Sequence, residues 1–278
     1  MKPILLEDRM VTNDDLIITN KLNRSNTDCS APQGRLFQVL GRKNGRRIVR
    51  EIDHNTVVVG GAITALENVA GVDATWKPST LNDIYNVEAT PSGKPMLALF
   101  GIGVGGSNLD FGSVIAPNIK QRDIISPIPL RYSANLTGDD ASKYFMKVPN
   151  VGGLTNSWYL KQFTTTPIIK SCWKNAISAD EDGTEILTDI YNSENTEGIE
   201  TFAEIQINLN TLDGREYYEA TSTMASARFN TIGFYTGSLN AEGTEYGDVR
   251  LYSVITMNNR DLSIASKSEF IYRLYSLI

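Results

Sequence analysis

The sequence predicts a mainly β fold, of the sandwich or barrel type with a few short helices; an α+β fold is the alternative. Short runs rich in Tyr, Phe, Ile and Val fill the last third, as in ARFNTIGFYTGSLN, DVRLYSVITMNN and SEFIYRLYSLI, and Gly and Asn clusters separate them. In the last run, Phe270 and Tyr272 alternate with Ile271 and Arg273, which is the period of a strand with two largely apolar faces. No segment carries a long helical pattern, so these elements indicate a β architecture.

The first two thirds of the chain also favour strands and turns. RLFQVLGRKNGRRIVREI predicts a β-hairpin with residues 41–45 in its loop, and WYLKQFTTTPIIKSCWKN predicts strands around Pro167. The best helix candidate is 62–70, because Ala, Leu and Glu favour a helix and Gly71 would end it. A short helical turn is expected near residues 141–146.

The chain divides by composition into an arm and a domain. Residues 1–34 are polar and irregular, which predicts an extended N-terminal arm anchored at the apolar island 16–18. Residues 35–278 are expected to form one β-rich assembly domain, and any subdivision should fall near residues 175–200. That acidic stretch has no Lys or Arg and predicts a loop before a strand at TFAEIQINLN.

Composition excludes several classes of function. A net charge of −6 argues against a general affinity for nucleic acid or anionic lipid, so we expect neither a membrane nor a specific nucleic acid as partner. The longest apolar runs are too short to cross a bilayer, and the N-terminus lacks the pattern of a signal peptide. Cys29 and Cys172 stand in no motif. Because His54 is the single histidine, a zinc site with two His ligands from one chain is excluded.

A glycine-rich stretch, LALFGIGVGGSNLDFGSV, contains the spacing of the dinucleotide-binding fingerprint. The three glycines of that spacing are Gly101, Gly103 and Gly106. The fingerprint also needs a helix after the third glycine and an acidic residue after the next strand. Gly112 and Pro117 fall inside the required helix, and Asp123 follows no obvious strand. We therefore predict no bound cofactor and no catalytic residue here.

The same glycines have a second interpretation, as backbone without side chains that allows a close approach at a bend or a subunit contact. Valine at Gly103 or Gly105 should then damage folding or assembly. On this interpretation the loop supplies four candidate assembly contacts, Gly101, Gly103, Gly105 and Gly106.

An acidic segment, SADEDGTEILTD, nearly fits a calcium-binding loop. Ser178, Asp180, Asp182 and Gly183 occupy ligand or turn positions, but Ser replaces the first Asp, and Asp189 replaces the closing Glu. A solvated acidic turn is the simpler interpretation, so no metal site is predicted; a cation or a basic partner surface is the alternative.

A basic cluster, GRKNGRRIVR, could contact phosphates or form a charged hairpin tip. A third interpretation pairs it with the acidic segment 180–200 of a neighbouring copy, since opposite charges on one chain suit head-to-tail assembly. The charged candidates for assembly contacts are Arg42, Arg46, Arg47, Asp180 and Asp182.

Three stretches together resemble virion structural proteins of tailed bacteriophages. They are LFGIGVGGSNLDFGSVIAPNIKQRDIISPIPLRYS, TIGFYTG and VRLYSVITMNNRDLSIASKSEFIYRLYSLI. The resemblance implies a non-enzymatic assembly subunit, located in the neck, tail, baseplate or capsid of a virion assembled in the bacterial cytoplasm. Its partners would be other virion proteins and copies of itself.

The sequence therefore favours a structural subunit of the head–tail connector, tail or baseplate that acts through homo- and hetero-oligomeric contacts. One alternative is a carbohydrate- or receptor-binding module of the virion, of the β-sandwich type. Its aromatic platform would use Trp158, Tyr159 and Trp173, although core packing is the favoured role of these side chains. An enzyme that uses the glycine loop is a third possibility. Glu216 and Glu219 are carboxylates in no cleft-forming motif, so they give no support to a glycosidase.

Overall fold

The computed structural model describes residues 16–18, 33–43, 46–107, 113–173, 199–262 and 268–276. The described residues form mainly β-strands in two sheets with few helices, which confirms the predicted fold class. The chain groups into two compact units: residues 1–52, 167–206 and 269–278 form the first, and residues 53–166 and 207–268 form the second. Most of the predicted arm and of the stretch 175–200 lies outside the described residues.

The described strands and helices follow one another along the chain. The strands are β1 Leu16–Ile18, β2 Gln33–Lys43, β3 Arg46–His54, β4 Thr56–Val57, β5 Met96–Gly103, β6 Pro127–Ile128, β7 Arg131–Tyr132, β8 Tyr144–Pro149, β9 Asn156–Gln162, β10 Ile168–Trp173, β11 Ile199–Leu209, β12 Arg228–Leu239, β13 Tyr246–Asp261 and β14 Ser268–Ser276. The α-helices are α1 Val59–Ala70, α2 Leu81–Tyr85, α3 Gly138–Ala141 and α4 Arg215–Ala220. No helix in this described part of the chain is long and apolar enough to cross a membrane.

One sheet has the strand order β1-β3-β2-β14-β11-β10. The predicted hairpin is confirmed, because β2 and β3 are neighbours, but the predicted loop 41–45 is too long, since β2 continues to Lys43. The predicted strands on either side of Pro167 are confirmed as β9 and β10, which belong to different sheets. β14 lies antiparallel to β2 at the centre, with Tyr272 opposite Leu36. Phe270 and Tyr272 are buried on one face of β14 and Ile271 is buried on the other, which confirms the strand with two apolar faces.

The other sheet has the order β4-β13-β12-β5-β9-β7, with β6 added to β5 and β8 added to β9. β12 is central: it lies antiparallel to both β13 and β5, and nearly all of its side chains are buried. A large core cluster joins these strands to the segments before α1 and at α2. Its members include Val58, Leu81, Leu99, Tyr235, Leu251 and Val254.

The predicted helical turn at residues 141–146 is wrong in its second half. The short helix α3 ends at Ala141, and strand β8 begins at Tyr144. The Tyr-Phe-Met run is buried because β8 pairs antiparallel with β9, where Phe145 lies opposite Leu160. Pairing with the next strand has overridden the local helical propensity.

The predicted helix at 62–70 is confirmed as α1, which begins three residues earlier. Gly71 ends it in the left-handed conformation at φ 71°, and its N–H donates to the carbonyl of Glu67. The early start adds Gly60 and Gly61, which local propensity disfavours in a helix. They are tolerated because this end of α1 packs directly on β13.

Candidate interaction surface

The glycine loop continues from the buried end of β5. Residues 104–107 turn, and Ser107 forms an isolated bridge with Val114. Among the described residues that follow the loop, 113–120 contain no helix. Over these described residues, which include Pro117, the chain does not form the helix that the dinucleotide fingerprint requires, as the sequence predicts.

Close approach is the physical role of these glycines. A Cβ on Gly105 would lie 2.6 Å from the carbonyl oxygen of Ile125, and a Cβ on Gly106 would overlap the carbonyl of Asn230. The N–H of Gly106 donates to Oδ1 of the fully buried Asn230 (2.7 Å), whose Nδ2 donates to the carbonyl of Val104 (3.1 Å). The predicted close approach is confirmed, and the neighbouring segments belong to the same chain.

The four candidate glycines differ in their exposure. Gly101, Gly103 and Gly106 are buried, and Gly105 is half-buried. A Cβ on Gly101 would meet the carbonyl of Tyr159 at 3.0 Å, so strand β9 fills the space beside it. The structure thus places these glycines against their own chain.

The charged candidates cannot be compared with the structure. The described residues do not include the side chains of Arg42, Arg46 and Arg47, or any part of Asp180 and Asp182. Their pairing across two copies stays a prediction. Within the described residues, no group of three or more His, Cys, Asp and Glu side chains could hold a metal ion.

The aromatic platform of the receptor-binding alternative is wrong for Trp158. This residue is 6% exposed, and the ammonium group of Lys147 lies 5.8 Å from its ring centroid. Tyr159 points to the opposite side of β9 and stacks on Tyr85, with 5.0 Å between the ring centroids. The side chain of Trp173 lies outside the described residues.

One carboxylate that the sequence did not identify as a site accepts hydrogen bonds from two tyrosines. The hydroxyls of Tyr85 and Tyr235 each donate to Asp123 at 2.7 Å, and the N–H of Ile124 donates to it at 2.8 Å. Desolvation raises the pKa of Asp123, although these three hydrogen bonds oppose the shift. Burial, together with the charge of Asp123, raises the pKa of Tyr235 well above its usual value.

The raised pKa of Asp123 predicts a pH dependence of stability. The folded chain holds this proton more tightly than the unfolded chain, so the contribution of Asp123 is complete below its unfolded pKa and is lost as the pH rises through its folded pKa. We expect the native chain to lose stability relative to Asp123→Asn as the pH rises above about 4, the ordinary pKa of an aspartate. Urea unfolding of both proteins at several pH values measures this difference, since all other groups are shared. A difference that is constant or that changes in the opposite direction would contradict the prediction.

A second polar cluster lies between β8, β9 and the turn before α4. Nζ of Lys161 donates to Asp213 at 2.6 Å and to the carbonyl of Asn208 at 2.9 Å. Asp213 has a completely buried side chain and also accepts from the hydroxyl of Tyr144 at 2.6 Å. Every oxygen of this carboxylate therefore has a donor, and the cluster ties the turn to the sheet.

A third pair joins β7 to α4. Arg131 donates to both carboxylate oxygens of Glu216, at 2.9 and 2.8 Å, and the N–H of Tyr132 donates to the same carboxylate. Glu219 pairs separately with Arg215 at 2.7 Å. The two glutamates that sequence reasoning examined are thus engaged with separate arginines.

Helix α1 has an unusual orientation. Its buried residues are Gly60, Gly61 and Thr64, and a Cβ on Gly61 would overlap the carbonyl of Tyr252 on β13. Two of its large apolar side chains point outward, since Leu66 is 68% exposed and Val69 is 87% exposed, whereas Ile63 is half-buried. A surface helix normally buries its apolar side chains, so the outward position of Leu66 and Val69 departs from the usual arrangement.

The segment after α1 carries two more exposed apolar side chains. Glu67, the single charged residue of α1, accepts from the N–H of Ala74 and pairs with Lys77, both at 2.7 Å. These contacts fold the segment back onto the helix, while Val72 is 67% exposed and Trp76 is 64% exposed. We call this surface the α1 stripe, made of Ala62, Leu66, Val69, Val72 and Trp76.

Sequence reasoning found the helix but missed the stripe. The available signal was composition, because the helix carries one charged residue and begins with two adjacent glycines. Small residues on one face and large apolar residues on the other indicate a helix that packs closely and leaves its larger side chains outside.

No protein-family model, curated protein or solved structure matches this chain. Function therefore has to be inferred from the chemistry of the described side chains. The buried charges of the second unit are held in internal pairs, as in Lys161–Asp213 and Arg131–Glu216. The α1 stripe is instead an apolar surface turned outward.

Proposed function

We propose that the chain is a non-enzymatic structural subunit of a tailed-phage virion, in the head–tail connector, tail or baseplate. It would act through contacts with copies of itself and with other virion proteins, after assembly in the host cytoplasm. The α1 stripe carries the proposal, because it is a surface suited to protein contact. The sequence resemblance supplies the kind of particle.

The physical support is that exposed apolar surface is unfavourable in water, so a protein contact that covers the stripe lowers the free energy. The largest exposed apolar patch on a folded protein, typically about 300–600 Å², is often functional, and larger patches mark sites of interaction with proteins or membranes. Trp is enriched at the centres of protein–protein interfaces, whereas charged residues are depleted there. The stripe contains Trp76, and its helical part, Ala62, Leu66 and Val69, carries no charge; the carboxylates beside it, Glu67 and Asp73, both pair with Lys77.

The buried polar clusters add a second line of support. Their charged groups are tied to fixed partners at 2.6–2.9 Å, as in Lys161–Asp213 and Arg131–Glu216. Satisfied networks of this kind rigidify a fold and specify one arrangement of its strands. A rigid scaffold with an exposed apolar surface suits a subunit that must present the same contact in every copy.

Two measurements test the proposed function. Mass spectrometry of virions purified through a density gradient is expected to recover the chain at a fixed ratio to the other structural proteins. Sedimentation of the purified chain is expected to give a mass that is a multiple of 30.7 kDa. A chain that stays in the lysate and never co-purifies with particles would refute the virion role.

A further inference from the structure

We infer that the α1 stripe binds the α1 stripe of a second copy, with the two helices antiparallel across a twofold axis near Leu66. This inference rests on the proposed function in one respect: it names the partner of the surface that carries that function. Three observations lead to it: the spacing of the stripe, its lack of charge and its area.

The spacing suits helix pairing. Ala62, Leu66 and Val69 stand at positions i, i+4 and i+7, so they form one row along the exposed face of α1. In an antiparallel pair about an axis at Leu66, each Leu66 meets its equivalent, and Ala62 of one helix lies opposite Val69 of the other. Small and large side chains then alternate across the contact, which is the self-complementarity that a twofold interface requires.

The charge pattern points to the same partner. No ionisable side chain lies within the row of Ala62, Leu66 and Val69. In the segment beyond the helix, the exposed Asp73 pairs with Lys77, which also binds Glu67. A strongly charged partner would find no complementary group along the row. A helix that binds anionic lipid carries Lys and Arg beside its apolar face, and α1 contains neither. A second uncharged apolar row fits this surface without leaving a buried charge unpaired.

The area of the stripe is close to that of a small specific interface. From the exposed fractions of Leu66, Val69, Val72 and Trp76, the stripe offers about 300–500 Å² of apolar surface per copy. Two copies would bury about 600–1,000 Å² of it. Because apolar atoms make up about two thirds of a homodimer interface, the total becomes about 900–1,500 Å², near the roughly 1,000 Å² that a specific interface needs.

The first test is Leu66→Glu, with Leu154→Glu as the matched control. Leu154 is 79% exposed and lies outside the stripe, so both changes place a carboxylate at an exposed leucine of the second unit. We expect Leu66→Glu to weaken self-association at least about 100-fold in sedimentation equilibrium, whereas Leu154→Glu keeps the native constant. Equal association in both variants would overturn the inference.

A second test reports the twofold geometry directly. Leu66→Cys is expected to form a disulfide-linked dimer under mild oxidation, since the two equivalent positions face each other across the axis. Leu154→Cys should give no such dimer. Mixing Leu66→Glu with Leu66→Lys should restore association that each variant lacks alone. Association without cross-linking or charge rescue would place the contact elsewhere and overturn the inference.

The outcomes separate this inference from the proposed function. If Leu66→Glu stays dimeric and is recovered in virions, the helix pairing fails and the virion role stands. If the dimer forms as expected but the chain never enters particles, the pairing stands and the virion role fails. A monomeric native chain that Leu66→Glu destabilises in thermal unfolding would mean that the chain covers its own stripe, which overturns the pairing.

Discussion

Replacing Lys161 with Met is expected to lower the free energy of unfolding by about 3–5 kcal/mol, because it leaves the buried carboxylate of Asp213 without its cation. The Asp213 side chain is completely buried, and Lys161 supplies its only basic partner among the described contacts, at 2.6 Å. Met preserves most of the side-chain volume, so the loss reports charge rather than packing. Urea unfolding at neutral pH measures it.

The double variant Lys161→Met with Asp213→Asn is the matched control. Asn removes the unpaired charge. Its side-chain oxygen can still accept from Tyr144 or from the N–H of Asn210, which are the donors that remain once Lys161 is replaced. We expect the second change to restore at least about 1 kcal/mol. A loss below about 1 kcal/mol for Lys161→Met alone, or no recovery in the double variant, would show that the pair is unimportant for stability.

Gly106→Ala is expected to destabilise the fold by about 3 kcal/mol or more, since one added methyl group has no space. It would overlap the carbonyl of Asn230 and approach the Thr231 hydroxyl to 2.5 Å. Relief requires movement of β12, whose backbone is held between β5 and β13. The midpoint of urea unfolding and the yield of soluble protein are the measurements.

Gly41→Ala provides the control for that substitution. Gly41 lies on β2, and no described atom comes within 4 Å of the position that its Cβ would occupy. We expect a change within about 1 kcal/mol, on the stabilising side, since alanine restricts the unfolded chain. Similar losses for Gly41→Ala and Gly106→Ala would mean that close approach is not the reason for glycine at position 106.

The strands of the last third were predictable because their signal is local. A period of two in EFIYRLYSLI is visible within a single strand, and the structure buries Phe270, Ile271 and Tyr272 on its two faces. The end of α1 was predictable for the same reason, since Gly71 alone supplies the left-handed conformation that stops the helix.

The polar clusters could not be predicted, because their members are far apart in the chain. Lys161 and Asp213 are separated by 52 residues, and Tyr85 and Asp123 by 38. The sequence singled out Asp123 only by its distance from the glycine motif. Its hydrogen bonds with Tyr85 and Tyr235 depend on how α2 and β12 pack. The run at 144–146 was predicted wrongly, since its conformation depends on pairing with β9.

The β-rich class, the last strands, the position of α1 and the helix-breaking effect of Pro117 follow from local sequence, since period, propensity and proline geometry act within a few residues. The contacts that these elements make depend on tertiary packing. The backbone of Asn230 fills the space beside Gly106, 124 residues away in the chain. β13 accepts the glycine face of α1 and so turns Leu66 and Val69 outward. Propensity favours a helix equally in either orientation, and the close fit of Gly61 against Tyr252 selects one of them.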